Sequence, residues 1–208
     1  MEKALEELRT LLEHRSLQRG DFILASGARS KFYFNSKTTL LSPHGARLTG
    51  EILYERFAAL GVEAVGGLAM GATYIAAAVA LVSDLRGRPI YGFTVREKKK
   101  EHGLCQSVDE SFHPDGRPLL VPGRRVAVVD DVVTKGGSIQ KAIDAVRERQ
   151  CDIVAVIALV DRDEGGRDVL RASGLPYSAL FVTDREGRLH VDYGAQVATP
   201  VAAQGALR

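Results

Sequence analysis

The sequence predicts an α/β protein, in which a mostly parallel, twisted sheet is flanked by helices. Two observations predict this class. Short apolar runs such as 125–129 and 153–160 lack the alternation of a strand with one exposed face, so both faces of these strands are expected to be covered. Segments with helical spacing lie between the runs, and a strand that is followed by a helix and then another strand is typical of a parallel sheet.

The elements follow in order from local signals. Leu5, Leu8, Leu11 and Leu12 have helical spacing, and Ser42-Pro43 has the form of a helix start. The predicted helices are 2–14, 44–60, 71–85 and 138–149, and the predicted strands are 32–34, 63–68, 90–95, 125–129, 153–160 and 179–182. We expect one domain over the 208 residues, with a core at 61–183 and a weakly patterned, loosely held C-terminal segment at 184–208.

Composition excludes several classes of protein. The chain is 45% hydrophobic and 26% charged, with a formal net charge of +2, so we expect a globular protein without a general affinity for nucleic acid. No window has the roughly 18 apolar residues of a membrane span, and the start lacks a signal-peptide pattern. Cys105 and Cys151 form neither a disulfide framework nor a metal motif. We therefore expect a cytoplasmic protein that does not bind membranes.

An acidic pair and a glycine turn mark a candidate site. The apolar run Val126–Val129 leads into Asp130 and Asp131, then Val132-Val133-Thr134-Lys135-Gly136-Gly137-Ser138, where a helix begins. Backbone N–H groups at a helix start bind anions, and glycines allow a phosphate to approach closely. Carboxylates accept hydrogen bonds from ribose hydroxyls. The pattern therefore favours a ribose 5-phosphate site over the alternative, a strand-to-helix turn with an acidic cap, and it matches neither GxxxxGK[ST] nor GxGxxG.

The stretch from Arg96 to about Pro118 has few apolar residues and no clear period. A loop of this length in a compact domain is usually functional or disordered. It opens with the run Arg96-Glu97-Lys98-Lys99-Lys100-Glu101-His102-Gly103. Such a run is usually a solvated charge cluster, but beside a phosphate site its cations could hold a departing diphosphate.

These motifs resemble those of one family. Val128–Ser138 resembles the phosphoribosyl diphosphate (PRPP) signature of type I phosphoribosyltransferases, and 96–103 resembles the catalytic loop of orotate phosphoribosyltransferases. Further similar segments are 26–35, which contacts the base in that family, 66–72, which binds diphosphate through its backbone, and 159–166, whose arginine faces orotate. The resemblance implies the type I phosphoribosyltransferase fold, with a small N-terminal hood over the base at 1–40.

The resemblance also implies an activity and its residues. The reaction would transfer phosphoribosyl from PRPP to orotate, giving orotidine 5′-monophosphate and diphosphate in pyrimidine synthesis. Mg²⁺ would enter with PRPP, without direct protein ligands. A homodimer is implied, with the 96–118 loop reaching the neighbouring site. The implied catalytic residues are Lys100, Arg96, His102 and Asp131; PRPP would be bound by Asp130, Asp131, Val132, Val133, Thr134, Lys135, Gly136, Gly137, Ser138, Lys37, Arg96, Lys100 and His102; orotate would be bound by Phe34, Tyr33, Thr134 and Arg162.

Two alternatives stay open. A phosphoribosyltransferase for another base, such as a purine, would share the PRPP motif but would not need Arg162 or the segment Phe32–Asn35. A PRPP-sensing regulator without catalysis would need a helix-turn-helix or a strongly basic face.

Overall fold

The computed structural model describes residues 1–23, 29–97, 108–110 and 115–192. In chain order the helices and strands are α1 (Glu2–Arg15), β1 (Leu17–Ile23), β2 (Arg29–Phe34), α2 (Lys37–Leu40), α3 (Pro43–Ala59), β3 (Ala64–Leu68), α4 (Gly71–Leu85), β4 (Tyr91–Val95), β5 (Val108–Glu110), β6 (Arg125–Val133), α5 (Gly137–Glu148), β7 (Asp152–Asp161), α6 (Gly166–Ala172), β8 (Tyr177–Thr183) and β9 (Leu189–Val191).

The main sheet has seven strands in the order β5-β4-β3-β6-β7-β8-β9. The five central strands are parallel, whereas β5 and β9 are antiparallel additions at the two edges. Helical crossovers explain the parallel pairing, because a tight turn can join only antiparallel strands. The predicted α/β class with a mostly parallel sheet is therefore confirmed.

The core consists of two layers, one on each face of the sheet. Helices α1, α3 and α4 cover one face, where Phe57, Ile75 and Val129 are fully buried. Helix α5 covers the other face, where Val128 and Ile139 are fully buried. Val128 and Val129 are neighbours in β6 that point to opposite faces, since side chains alternate along a strand. This arrangement explains why the strand is apolar throughout.

The N-terminal region is a small two-stranded ribbon beside the sheet. Strands β1 and β2 pair antiparallel, with Leu17 opposite Phe34. The ribbon is tied to α2 through the hydroxyl of Ser16, which lies 2.7 Å from the Thr39 hydroxyl, and the Asn35 N–H donates to the Ser16 carbonyl at 2.8 Å. These bonds fix the chain that leads from the ribbon to the sheet.

Local signals account for most element boundaries. The Ser42 hydroxyl accepts a hydrogen bond from the Gly45 N–H at 3.1 Å, and Pro43 occupies the first turn of α3, as an N-cap predicts. Helix α4 has the predicted bounds. No helix in the described part of the chain is long and apolar enough to cross a membrane.

Some features differ from the prediction. Strand β6 continues to Val133, so Asp130 and Asp131 lie within the strand rather than after it; pairing with β7 as far as Asp161 keeps this segment extended. The segment from 184 onward begins with a turn and strand β9, which pairs with β8, and 193–208 lie outside the described residues. Strands β1, β5 and β9 and helices α2 and α6 are additional to the predicted elements.

Candidate active site at the carboxyl ends of the parallel strands

The strand order creates a crevice between β3 and β6. These strands are neighbours, but the chain leaves them toward opposite faces, because α4 packs in one layer of the core and α5 in the other. In open α/β sheets ligands bind at such a switch point, outside the carboxyl ends of the strands. The segment after β3 (69–71) and the segment after β6 (134–136) flank this crevice, and the Ala69–Met70 peptide bond is cis.

The two aspartates of β6 have different environments. Asp130 is 5% exposed, and its Oδ1 accepts a hydrogen bond from the Asp131 N–H at 3.0 Å. Burial raises the pKa of the Asp130 carboxyl well above its usual range, and the neighbouring Asp131 carboxylate raises it further. Asp131 is only partly buried. Asp131 is therefore the carboxylate that is more accessible to a ligand.

The position of the Asp131 side chain is set by two other segments. Its Oδ2 accepts a hydrogen bond from the Ser36 hydroxyl, which lies just before α2. Gly71 at the start of α4 packs so closely that a Cβ there would lie 2.7 Å from Oδ2 and still nearer to the other carboxylate atoms. The N-terminal region, the β3–α4 connection and β6 thus converge on one carboxylate.

The turn Thr134–Gly136, with the first residues of α5, forms the candidate phosphate loop. Gly136 has φ 80°, in the left-handed region that glycine adopts readily. No atom of the described residues lies within 4 Å of a Cβ built on Gly137, so among these residues the start of the 12-residue helix is open to an approaching anion. Lys135 and Ser138 are exposed, and Thr134 is partly buried. This geometry suits a phosphate group.

Backbone contacts from the β7–α6 connection hold this loop. The Gly166 N–H donates to the Thr134 carbonyl at 2.9 Å, and the Arg162 N–H donates to the Val133 carbonyl at 2.9 Å. A Cβ on Gly166 would lie 2.5 Å from the Thr134 oxygen and 2.9 Å from the Gly136 nitrogen. Only glycine therefore allows the two turns to pack at this distance.

Arg162 forms the other end of the site. Its side chain is 9% exposed, and one terminal nitrogen lies 2.9 Å from Oε1 of Glu164. The guanidinium carbon lies 4.6 Å from the centre of the Phe32 ring, within the range of a cation–π contact. Its Nε is buried without a hydrogen-bond partner among the described residues. A buried N–H without a partner is costly, and an acceptor on a bound ligand would satisfy it.

The ring of Phe32 also packs closely against a glycine. A Cβ on Gly187, in the turn between β8 and β9, would lie 2.7 Å from Cγ of Phe32. Phe32 comes from the N-terminal ribbon, Arg162 from the β7–α6 connection and Gly187 from the β8–β9 turn. The contact therefore brings the ribbon against the carboxyl end of the sheet.

The remaining predicted residues have varied positions. Phe34 is buried in the core layer that contains α1 and α3. Tyr33 is 43% exposed, and its ring centre lies 5.7 Å from that of Phe22. Lys37 is exposed beside Ser36, and Arg96 forms an ion pair with Asp109. Lys100 and His102 lie outside the described residues, and Val132 and Val133 belong to β6.

Sequence reasoning did not assign four residues that the structure brings to the site. Phe32 lies in the same aromatic run as the predicted residues Tyr33 and Phe34, and Ser36 follows the motif residue Asn35. Gly71 and Gly166 lie in segments that the resemblance covered, but a sequence does not show that a glycine is needed for close packing. The described residues contain no group of three or more His, Cys, Asp or Glu side chains that could hold a metal ion.

Comparison with known proteins places these features in a family. The family model described as "Phosphoribosyl transferase domain" matches residues 38–172. An orotate phosphoribosyltransferase of Bradyrhizobium diazoefficiens is 44% identical over 171 residues, covering 82% of this chain and 89% of the relative. One from Rhodopseudomonas palustris is 44% identical over 174 residues, covering 84% and 91%.

Solved structures agree with these relatives. The Mycobacterium tuberculosis orotate phosphoribosyltransferase in complex with Fe(III) dicitrate superposes with a TM-score of 0.74 at 31% identity, covering 88% of this chain and 99% of that one. The same organism's enzyme in complex with PRPP gives a TM-score of 0.68 at 26% identity, covering 89% and 92%. An adenine phosphoribosyltransferase of Rhodothermus marinus, at 18% identity, shares the fold. The switch-point site and these similarities together confirm the predicted family: the chain belongs to the phosphoribosyltransferases and, among them, to the orotate phosphoribosyltransferases.

Proposed function

We propose that the protein transfers the 5-phosphoribosyl group of PRPP to orotate, giving orotidine 5′-monophosphate and diphosphate in pyrimidine synthesis. The observation that carries the proposal is one arrangement at the switch point. The open start of α5, the Asp131 carboxylate and the Arg162 guanidinium all lie where β6 and β7 end. The anion site suits the 5-phosphate of PRPP, and the carboxylate suits the hydroxyl groups of its ribose. The cation suits the carboxylate of orotate.

The loop Thr134–Ser138 would bind the 5-phosphate. Gly136 turns the chain so that the N–H groups at the start of α5 are available to an anion. The hydroxyls of Thr134 and Ser138 would add donors, and Lys135 would add positive charge. The hydrogen bond from Gly166 to Thr134 keeps this loop in place before the substrate arrives, which lowers the entropy cost of binding.

Asp131 would bind the ribose hydroxyls directly. It is more exposed than Asp130 and is held by Ser36. Asp130, which burial keeps closer to its neutral form, would support Asp131 by accepting its backbone N–H. As the bond from the ribose C1 atom to diphosphate breaks and a bond to a ring nitrogen of orotate forms, positive charge develops on the ribose. A nearby carboxylate stabilises that charge.

Arg162 and Phe32 would orient orotate. The planar fork of arginine pairs with a carboxylate through two parallel hydrogen bonds. Here one terminal nitrogen is paired with Glu164, and Nε has no partner among the described residues. The guanidinium lies over the Phe32 ring, which helps to hold it in place. We favour Phe32 over the predicted Phe34 because Phe34 lies in the core, where it supports the ribbon by packing. Tyr33, on the exposed side of the ribbon, remains a candidate for a base contact.

The cations Arg96, Lys100 and His102 would hold the departing diphosphate, and Lys37 would add charge from the opposite side. Arg96 is paired with Asp109 and has an Nε without a partner among the described residues, so it could exchange one anion for another. The 96–118 segment would also exclude water, which would otherwise hydrolyse an activated ribose.

Mg²⁺ would be bound by the oxygens of PRPP, without direct protein ligands. The available donors fit this mode, because Asp130 is buried and no three-ligand cluster exists among the described residues. Mg²⁺ usually keeps several waters and binds substrate phosphates with one or two carboxylates. When bound it would neutralise charge on the diphosphate.

We also propose a homodimer in the cytoplasm. Leu81 and Leu85 on α4 are 64% and 76% exposed, and Leu41, just after α2, and Met70, just before α4, are also exposed. Exposed large apolar side chains on one helix face are typical of a surface that meets a partner, and most soluble oligomers are symmetric dimers. The 96–118 segment of one subunit would then reach the site of the other.

The test is the loss of orotate absorbance on mixing the protein with PRPP and Mg²⁺, with hypoxanthine, adenine and uracil analysed in parallel. We expect turnover of orotate alone. Asp131→Asn should lose most of the activity, whereas the matched change Asp144→Asn, on the exposed face of α5, should leave it unchanged. Turnover of another base would reject the orotate assignment, and no turnover of any base with PRPP still bound would favour a PRPP-sensing regulator.

A further inference from the structure

A buried carboxylate behind the site has no role in the chemistry proposed above. Asp161, the last residue of β7, is fully buried. A buried charge is costly unless it is paired and hydrogen-bonded. Its presence at the end of the strand that leads directly to Arg162 calls for a physical explanation.

One oxygen of this carboxylate shapes the turn that contains Arg162. Oδ1 of Asp161 accepts a hydrogen bond from the Asp163 N–H at 2.9 Å. Asp163 has φ 54°, in the left-handed region, which is unfavourable for most residues other than glycine. The hydrogen bond stabilises this conformation. Arg162 lies between the two residues that the bond joins, so its backbone direction depends on it.

The other oxygen attaches the turn to two elements of the scaffold. Oδ2 of Asp161 accepts hydrogen bonds from Nε of Arg167 in α6 at 3.0 Å and from the hydroxyl of Tyr177 in β8 at 2.9 Å. Arg167 also donates to Oδ2 of Asp192, just after β9, at 2.8 Å. Burial and the adjacent carboxylate raise the pKa of Tyr177, so its hydroxyl stays a donor. The carboxylate is thus held by groups from three parts of the chain.

We infer that Asp161 is a positioning residue for Arg162: it fixes the β7–α6 turn so that the guanidinium stays over the Phe32 ring and can pair with the carboxylate of the base. This inference rests on the proposed role of Arg162 in binding orotate. Two parallel hydrogen bonds tolerate little misorientation, and a functional group must be held within about 0.5 Å of its productive position by surrounding residues. Asp161 itself contacts neither substrate.

A positioning role for Asp161 predicts different effects on the binding of orotate and of PRPP. The Asp161 side chain accepts hydrogen bonds from Asp163, Arg167 and Tyr177, none of which belongs to the phosphate loop, and the left-handed turn at Gly136 lies between β6 and α5. A change at Asp161 should therefore weaken the binding of orotate more than the binding of PRPP. A general loss of structure would instead affect both substrates together.

The experiment compares Asp161→Asn with Asp152→Asn. Both changes replace a carboxylate by an amide in β7, but the Asp152 carboxylate lies at the other end of the strand, 53% exposed and 3.4 Å from Arg125. In Asp161→Asn the amide keeps one acceptor oxygen. If that oxygen keeps the bond from Asp163, the new NH₂ group lies against two other donors, Nε of Arg167 and the Tyr177 hydroxyl. We expect the KM for orotate to rise about 10-fold or more, while the KM for PRPP changes less than about 2-fold. Asp152→Asn should match the unsubstituted protein.

The outcomes are distinct. An orotate KM that stays within 2-fold of the control, or equal rises in both KM values, would overturn the inference while leaving the proposed function intact. If the unsubstituted protein does not turn over orotate, the proposed function fails and the inference fails with it. If Asp161→Asn shows no cooperative melting, Tyr177→Phe removes one donor to the same oxygen with little change in volume. We expect an orotate KM about 3-fold higher for that variant, and an unchanged value would also overturn the inference.

Discussion

Gly71→Ala should abolish most of the activity while leaving the fold intact. A Cβ at this position would lie 2.7 Å from Oδ2 of Asp131, the farthest of the three carboxylate atoms, whereas ordinary contacts begin at 3.4 Å. To reach an ordinary contact distance, Oδ2 of Asp131 would have to move by about 0.7 Å, and Cγ and Oδ1 by about 1 Å or more. Since β6 stays paired with β7 as far as Val133, the side chain is expected to rotate away rather than the strand to move.

Gly71→Ala should lower the activity far more than it lowers the stability of the fold. Rotation of Asp131 loses its hydrogen bond from Ser36, which corresponds to about 1 kcal/mol, with up to about 1 kcal/mol more for an unfavourable rotamer. The melting temperature should fall by about 5 °C for a chain of this length. A misplacement of about 1 Å at a reacting centre can lower the rate about 100-fold, so the loss of kcat/KM should exceed what the stability change implies.

The assay is orotate consumption at saturating PRPP together with thermal unfolding. Gly92→Ala is the matched control, because a Cβ on this β4 residue would meet only the Ala76 methyl at 3.9 Å. We expect the control to match the unsubstituted protein in both measurements. If Gly71→Ala retains kcat/KM within about 3-fold, Asp131 does not need the position described here, and its assignment to the ribose would have to be withdrawn.

Three further predictions follow from the same geometry. Arg162→Lys removes the planar fork, so the KM for orotate should rise about 10-fold to 100-fold while the KM for PRPP stays unchanged, with the exposed change Arg171→Lys as the control. Gly166→Ala places a Cβ 2.5 Å from the Thr134 carbonyl oxygen, which as backbone cannot easily retreat, so calorimetry should show a loss of about 2 kcal/mol and the KM for PRPP should rise. Asp130 has a raised pKa in the folded protein, so the folded state binds this proton more tightly than the unfolded state and stability falls as pH rises above the usual carboxyl range. Asp130→Asn should therefore raise the melting temperature at pH 8 and have little effect near pH 4; an equal effect at both pH values would contradict this.

Much of the scaffold could be predicted because its signals are local. The helix 71–85 and the apolar strands could be identified from spacing and composition, since a strand buried on both faces must be apolar throughout. The turn at Gly136 before α5 could also be predicted, because a glycine turn before a helix is a contiguous motif. Strands β5 and β9 were missed because three-residue edge strands depend on a neighbour for their pairing.

The details of the site could not be predicted, because they depend on contacts between distant segments. The sequence predicted Tyr33 and Phe34 as the base-contacting aromatic residues; only the packing of the ribbon shows that Phe32 meets Arg162 and that Phe34 lies in the core. The sequence showed two adjacent aspartates, and only burial makes them different.

The sequence by itself determined the fold class, the glycine turn before α5 and the family, because each depends on periodicity or on a contiguous motif. The tertiary structure decided which of the two carboxylates is more exposed and which ring lies beside Arg162, and it joined Asp161 to Arg167 and Tyr177 behind Arg162. The physical reason is that burial, pKa and hydrogen-bond partners are properties of neighbours in space, and these neighbours are set only when the sheet has assembled.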